Sequence, residues 1–385
     1  MVDSENVLNG YVEKIREIAD AIITNIVFIG QVPAPTFQEN ERVKLFMERL
    51  SEFQADECTM DCYDNPIGII RGNSRDKAPI FVVAHMDTPF SKEVDHNYTV
   101  KPNAITGAGL TDNALGVGVL VSLPEILRHL KLNFESDIVL AGVTQSIGRG
   151  NLRGIRRLLK NWPTPIRGAI CLESGELGRL NFSSDGMIRC EIICRVPSCS
   201  GPQKPNPLNA ILVLNEAINQ ILMLNQPPKP RTRIIFGTIS GGLKHGQTPD
   251  KATLGLEIHS DLDKRVGKLF TDIRDIVSEL AHKFEVELSL KIISSVRAAR
   301  LDENQMLVKS ATSIMKKLGI QPTIGPSESE LSIFLSRKIP ALTVGISYAN
   351  WYQEADASMQ IEPIFKGIAQ IVGILNTIDS GACDE

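Results

Sequence analysis

Residues Pro79-Ile80-Phe81-Val82-Val83-Ala84-His85-Met86-Asp87-Thr88 make an apolar run that stops abruptly at a histidine and an aspartate. A short continuous run rich in Val and Ile reads as a strand buried on both faces, the habit of a parallel sheet. The design recurs twice: residues 137–144 lead into Gln145, and residues 166–172 lead into Glu173. Stretches of helical period lie between the runs, one after Asp112 and one near 152–160. Strands alternating with helices predict an α/β fold, a mostly parallel central sheet covered by helices. Polar residues at the carboxyl ends of such strands face the crevice where open α/β sheets bind ligands.

Working outward, the spacing predicts a helix over 7–29. A break follows at Val32-Pro33-Ala34-Pro35-Thr36, because neither proline continues a helix. A second helix then begins near Phe37, with Val43, Phe46, Met47 and Leu50 on one stripe. From about Gly186 the pattern changes to strand 187–196, helix 207–224, strands 231–239 and 252–259, helix 263–284 and strand 285–293. That βαββαβ order is the signature of a small ferredoxin-like α+β domain. Helix 303–318, strand 341–346 and helix 363–378 resume the first pattern. The expectation is a large domain of 1–185 plus 296–385, interrupted by an inserted domain over 186–295. The first inserted helix carries Leu208, Ile211, Leu212, Leu214, Ile218, Ile221 and Leu222, a stripe that covers its own sheet and offers a second use, a homodimer through this domain.

The chain of 385 residues is long enough for two cores, and its formal charge of −4 leaves no footprint for nucleic acid. Arg149, Arg153, Arg156, Arg157 and Lys160 form a local basic run, read as a solvated helix face rather than an anion site. The most apolar N-terminal run, 22–29, is interrupted by Thr24 and Asn25 and is too short for a membrane span, so no membrane is expected. Seven widely spaced cysteines point to a reduced, cytoplasmic setting. Cys190 and Cys194 share one side of a strand near Cys199, and are read as small hydrophobes. Gly107-Ala108-Gly109 lacks the third glycine of a dinucleotide loop.

One imidazole, His85, and two carboxylates, Asp112 and Glu173, suit a divalent transition metal such as zinc, with a fourth position left for water. Asp87, two residues past His85, is placed to accept the other imidazole N–H and fix its tautomer.

At these residues the chain resembles the zinc amidohydrolase and peptidase family that includes acetylornithine deacetylase, succinyl-diaminopimelate desuccinylase, carboxypeptidase G and peptidase T. His85-Met86-Asp87-Thr88 is similar to its H-x-D-T signature, and residues 107–117 to its G-x-G-x-x-D-N-x-x-G-x element. Residues 32–39 resemble its I-P-A-P-T-x-x-E start, and Gly241, Gly242 and Pro249 its G-G-x-x-x-N-x-x-P segment in a lid domain. The resemblance implies a zinc-exopeptidase-like large domain with an inserted lid. It also implies that Asp112 bridges two metals, the first completed by His85 and Glu173. The second metal takes the latter half of a Glu-Glu pair and a C-terminal histidine, and the first Glu is the general base.

Here the chain departs from the pattern. The Glu-Glu pair falls on Gln145-Ser146, and residues 138–172 contain no Asp, Glu or His. His282 is the last histidine, and the matching C-terminal stretch reads Asn350-Trp351-Tyr352-Gln353-Glu354-Ala355, which puts Gln353 at the ligand position. In the lid, the substrate-clamping asparagine falls on Gly246 and the arginine on His259, while the lid histidine falls on Ser200 or Cys199. Gln145 cannot take a proton from water, and loss of a general base typically costs on the order of 10²- to 10⁴-fold. Glu176, His245, Glu354 and Asp356 are conceivable substitutes that read as surface or lid residues. Two adjacent carboxylates repel unless a cation or a shared proton intervenes, so one zinc, proton sharing and a hydrogen-bonded empty site all stay open. The expectation is a catalytically degenerate relative that holds at most one divalent metal and either binds a peptide-like or N-acyl amino-acid ligand or serves as an assembly partner. The alternative is a divergent single-metal amide hydrolase, with Glu176 as a concrete candidate base.

Overall fold

A computed structural model describes residues 3–197, 208–226, 229–327, 329–350 and 354–384. It contains two compact units, Met1–Ser183 with Arg300–Glu385, and Ser184–Ala299.

The main sheet of the larger unit runs in the order Glu57–Met60, Pro66–Ile70, Ile138–Val143, Ile80–His85, Gly168–Glu173, Ala341–Gly345 and Arg179–Ser184. Its four middle strands are parallel, with Ile80 opposite both Ile138 and Gly168, and Ala341 opposite Ala169. Those four strands are buried at every position, which is why they read as unbroken apolar runs rather than alternating ones. Antiparallel strands flank them, Pro66–Ile70 on one side and Arg179–Ser184 on the other. The mostly parallel α/β expectation holds.

Helix Leu115–His129 is the central core helix, with Leu115, Val117, Val119, Leu120 and Leu123 fully buried. By length and composition Leu110–His129 passes as a membrane span, but 89% of its apolar window is buried inside the fold. It packs against helix Ala19–Gln31, and Gly118 sets the approach: a Cβ there would stand 2.6 Å from the Ile26 Cα.

Three helix expectations need correction. The helix read over 7–29 is two, Glu5–Glu17 and Ala19–Gln31, broken at Ile18 with φ −110° and ψ 23°. The first packs on the C-terminal helix Glu362–Thr377 and the second on Leu115–His129, so tertiary partners, not a breaker residue, impose the change of axis. The second N-terminal helix starts at Asn40 rather than near Phe37, whose φ of 74° lies in the left-handed region. The basic helix is Arg153–Asn161, because Asn151 and Leu152 have φ of 60° and 52°.

In the smaller unit the strands run Thr232–Gly241, Lys251–Ser260, Gly186–Arg195, Glu287–Val296, each antiparallel to its neighbour, with helices Ala210–Leu222 and Asp263–Phe284. This is the ferredoxin-like order. Cys190 and Cys194 are fully buried among Leu254, Leu256 and Val213, and burial pushes their thiols up to about 12 and about 11. They act as small hydrophobes. The apolar stripe on Ala210–Leu222 divides: Leu214 and Ile221 point into the core, while Leu212 and Leu222 are 64% and 56% exposed.

Candidate functional site

His85 is the last residue of its strand and is buried. Its Nε2 lies 3.1 Å from Asp112 Oδ1. Its Nδ1 lies 3.1 Å from the main-chain oxygen of Asp87 and 3.4 Å from that residue's Oδ1. The nearer partner on Asp87 is therefore the carbonyl. The other carboxylate oxygen, Oδ2, accepts from Thr36 Oγ1 at 2.8 Å and from the N–H groups of Ser146 and Ile147 at 3.0 and 2.8 Å. Asp87 thus ties the ring, the proline-rich break and the Gln145 turn together. Burial alone would lower the His85 pKa, but hydrogen bonds to Asp112 and Asp87 outweigh it and hold the imidazole well above its ordinary value.

Asp112 sits in the turn Leu110–Ala114 with φ −151° and ψ 79°, just before the core helix, and the Asp112–Asn113 peptide bond is cis. The Asn113 side chain donates to Leu172 O at 2.8 Å and accepts from Ser174 Oγ at 2.6 Å, which fixes the turn to the end of the Glu173 strand. Glu173 is buried, and desolvation pushes its carboxyl up to about 7. The positive charges of His85 and Arg179 oppose that rise, and the carboxylates of Glu330 and Asp112 add to it.

Glu330 was not read from the sequence. It is 2% exposed, and its Oε1 accepts the Ser146 hydroxyl at 2.6 Å. The position expected to hold a second metal is thus a hydroxyl bound to a buried acid. The sequence did offer a signal: Ser327-Glu328-Ser329-Glu330 before the apolar Leu331 is the composition of a helix start, and Leu331–Ser336 is a short helix.

Gln145, at the general-base position, has φ 55° and donates its N–H to Glu39 Oε1 at 2.8 Å. Burial raises the Glu39 pKa. The Gln145 side-chain Oε1 accepts from Arg153 Nη1 at 3.2 Å, and the Arg153 guanidinium lies 5.4 Å from the centre of the Phe37 ring. Arg42, also missed, is wholly buried and donates to Val32 O at 3.0 and 2.7 Å and to Met86 O at 2.9 Å, pinning the break at 32–36 to the residue between His85 and Asp87.

The remaining expected residues have surroundings of their own. Glu176 is exposed and pairs with Arg179 at 2.8 Å. His245, Glu354 and Asp356 are exposed, as is Gly246, with φ 76°. His259 is buried with its Nε2 2.8 Å from Glu257 Oε2, and that hydrogen bond is the main cause of a Glu257 pKa pulled down to about 2. Gln353, Cys199 and Ser200 lie outside the described residues.

At the second-metal position Ser146 brings a hydroxyl where the resemblance implies a carboxylate, and at the base position Gln145 brings an amide, a donor set that does not fit the two-metal pattern the resemblance implies. For one ion the match is incomplete. Two donors on a tetrahedral zinc, each at about 2.0–2.1 Å, stand roughly 3.3 Å apart, near the 3.1 Å between His85 and Asp112. Among the described residues, however, no three His, Cys, Asp or Glu side chains converge as a metal group, so Glu173 does not close the trio with His85 and Asp112.

The pattern of Peptidase family M28 matches residues 65–145, a segment that carries His85, Asp87 and Asp112. No curated protein sequence matches the chain. Similar solved structures extend over nearly all of it. A di-peptidase of Saccharomyces cerevisiae, Dug1p, aligns with a TM-score of 0.77 at 11% identity, covering 98% of this chain and 100% of that one. A tripeptidase of Staphylococcus aureus aligns with a TM-score of 0.73 at 16% identity, covering 94% and 99%. The Bacillus subtilis protein YXEP, described as a dinuclear metal binding peptidase of the M20 family, aligns with a TM-score of 0.65 at 14% identity, covering 94% and 98%. The fold inferred from the H-x-D-T and G-x-G-x-x-D-N motifs is thereby borne out.

Proposed function

We propose that this chain, which has the fold of the metal-dependent peptidases and amidohydrolases, is a catalytically degenerate relative that binds a peptide-like or N-acyl amino-acid ligand. One observation carries the reading. At the base position the Gln145 side-chain oxygen accepts from Arg153, and at the second-metal position the Ser146 hydroxyl donates to Glu330. Neither side chain can accept a proton from an attacking water in that arrangement. At most one divalent ion belongs to the proposal, with zinc the best match to an imidazole and a carboxylate. His85 and Asp112 would hold it. A cytoplasmic setting is also proposed, supported by the free cysteines Cys58, Cys62, Cys171, Cys190, Cys194 and Cys383. So is a homodimer through the smaller unit, supported by the exposed Leu212, Leu222 and Met223 and checked by sedimentation.

Metal analysis of the purified protein combined with a screen of dipeptides and N-acyl amino acids tests the main reading. It expects at most one metal per chain, ligand-induced stabilisation and no turnover. Two metals per chain with turnover would overturn it. The 3.1 Å spacing of His85 and Asp112 favours a second reading, a single-metal amide hydrolase with an unidentified base. Under that reading zinc-dependent turnover appears, and its loss in Glu176→Gln would name the base.

A further inference from the structure

We infer that Arg153, together with the Gln145 amide, forms a recognition point for a ligand carboxylate at the strand ends of the larger unit. The inference rests on the proposed ligand-binding role and names the chemical class that the ligand must carry.

Geometry supplies the argument. Gln145 follows the strand Ile138–Val143 by two residues, at the end where the crevice of an α/β sheet opens. Its amide orientation is fixed, because Oε1 accepts from Arg153 Nη1 at 3.2 Å. The Nε2 group, which has two donors and no acceptor, therefore faces away from the arginine. Arg153 is exposed, its guanidinium backed by the Phe37 ring, and among the described residues it has no carboxylate partner. With Nη1 engaged by Gln145, Nη2 and Nε keep the forked donor face that matches a carboxylate. What a hydrolase would present here as a proton-accepting carboxylate has become a cation flanked by amide donors.

The surroundings hold this group in place. The Gln145 N–H is bound by Glu39, the Ser146 and Ile147 N–H groups by Asp87, and Thr36 by the same Asp87 oxygen. Gly150 packs so closely that a Cβ would stand 2.4 Å from Gln145 O and 2.9 Å from Thr36 Cγ2. The loop carrying Phe37 and the turn carrying Gln145 are thus cross-tied, so the arginine is not merely one of several solvated charges on its helix. The family resemblance would put carboxylate recognition at the lid position His259, and here that residue is engaged by Glu257.

Calorimetric titration of the full chain tests this with a panel of N-acetyl amino acids and dipeptides, the matching carboxamides and inorganic phosphate. The free acids should bind, and the carboxamides about 10- to 100-fold more weakly, as expected for loss of a charge-assisted contact. Arg153→Met should weaken the acids by the same factor and leave the carboxamides unchanged, while Arg153→Lys retains part of the affinity. Gln145→Glu should abolish acid binding, because the new carboxylate occupies the arginine and repels the ligand. Thermal melts without ligand verify that each variant is folded. Equal binding of acids and carboxamides, unchanged affinity in Arg153→Met, binding of phosphate alone, or no binding by any member of the panel would overturn the inference. Turnover by the wild type would sink the degenerate reading instead, with the carboxylate requirement still legible in KM.

Discussion

At the scale of single residues, the pair Glu257–His259 stands in the smaller unit at the position where the resemblance implies a substrate clamp. The Glu257 carboxyl is held at about 2 against an ordinary 4.5, first by its hydrogen bond to His259 and then by Arg189, with burial opposing. Because the folded pKa is the lower one, the folded state binds fewer protons than the unfolded state between the two values. The stabilisation is fully present above about pH 4.5 and is lost as pH falls through about 2. Half-burial screens the pair, so we expect Glu257→Gln to cost about 1–2 kcal/mol at pH 7. Urea melts should show that difference shrinking toward pH 3, and a pH-independent difference would assign the loss to packing. Residue identities at the site were legible where a motif named them, as for His85, Asp87 and Asp112. Glu330 and Arg42 were not, because a buried acid bound to a serine and a buried arginine bound to carbonyls carry no spacing pattern. Only the fold brings Ser146 and Glu330 together across 184 positions of sequence.

At the scale of elements, the contact between helices Ala19–Gln31 and Leu115–His129 depends on the absence of a side chain at Gly118. A methyl group there meets the Ile26 Cα at 2.6 Å, a main-chain atom that cannot rotate aside. We expect Gly118→Ala to destabilise by about 1–3 kcal/mol through overpacking, despite the better helix propensity of alanine. A lower urea midpoint at unchanged slope is the signature, and a raised midpoint would show that the helices can separate without loss. Buried strands announced themselves through unbroken apolar runs. The strands Glu57–Met60 and Arg179–Ser184 did not, being short and mixed with polar residues. The break at Ile18 was invisible for another reason: the two helical stripes are continuous in sequence and differ only in the partners they cover.

For the whole molecule, each of the two compact units contains its own cluster of buried hydrophobic residues. Separate cores predict separate cooperative transitions, so scanning calorimetry should give a van't Hoff enthalpy smaller than the calorimetric one. Leu254→Ala, in the smaller unit's core, should shift one transition only. A single two-state transition would refute that independence. The large scale was the most legible of the three, since the order of strands and helices constrains topology more tightly than any one residue constrains chemistry.

The Ser146–Glu330 hydrogen bond bears on which residues position 146 can hold. A carboxylate at position 146 would stand beside the 2%-exposed Glu330, concentrating negative charge where water cannot screen it, whereas one at position 145 would meet Arg153. The fold therefore resists a carboxylate at position 146. Glu330 acts as a ratchet: it must itself be replaced before an acid at position 146 is tolerated, so the order of substitutions matters there.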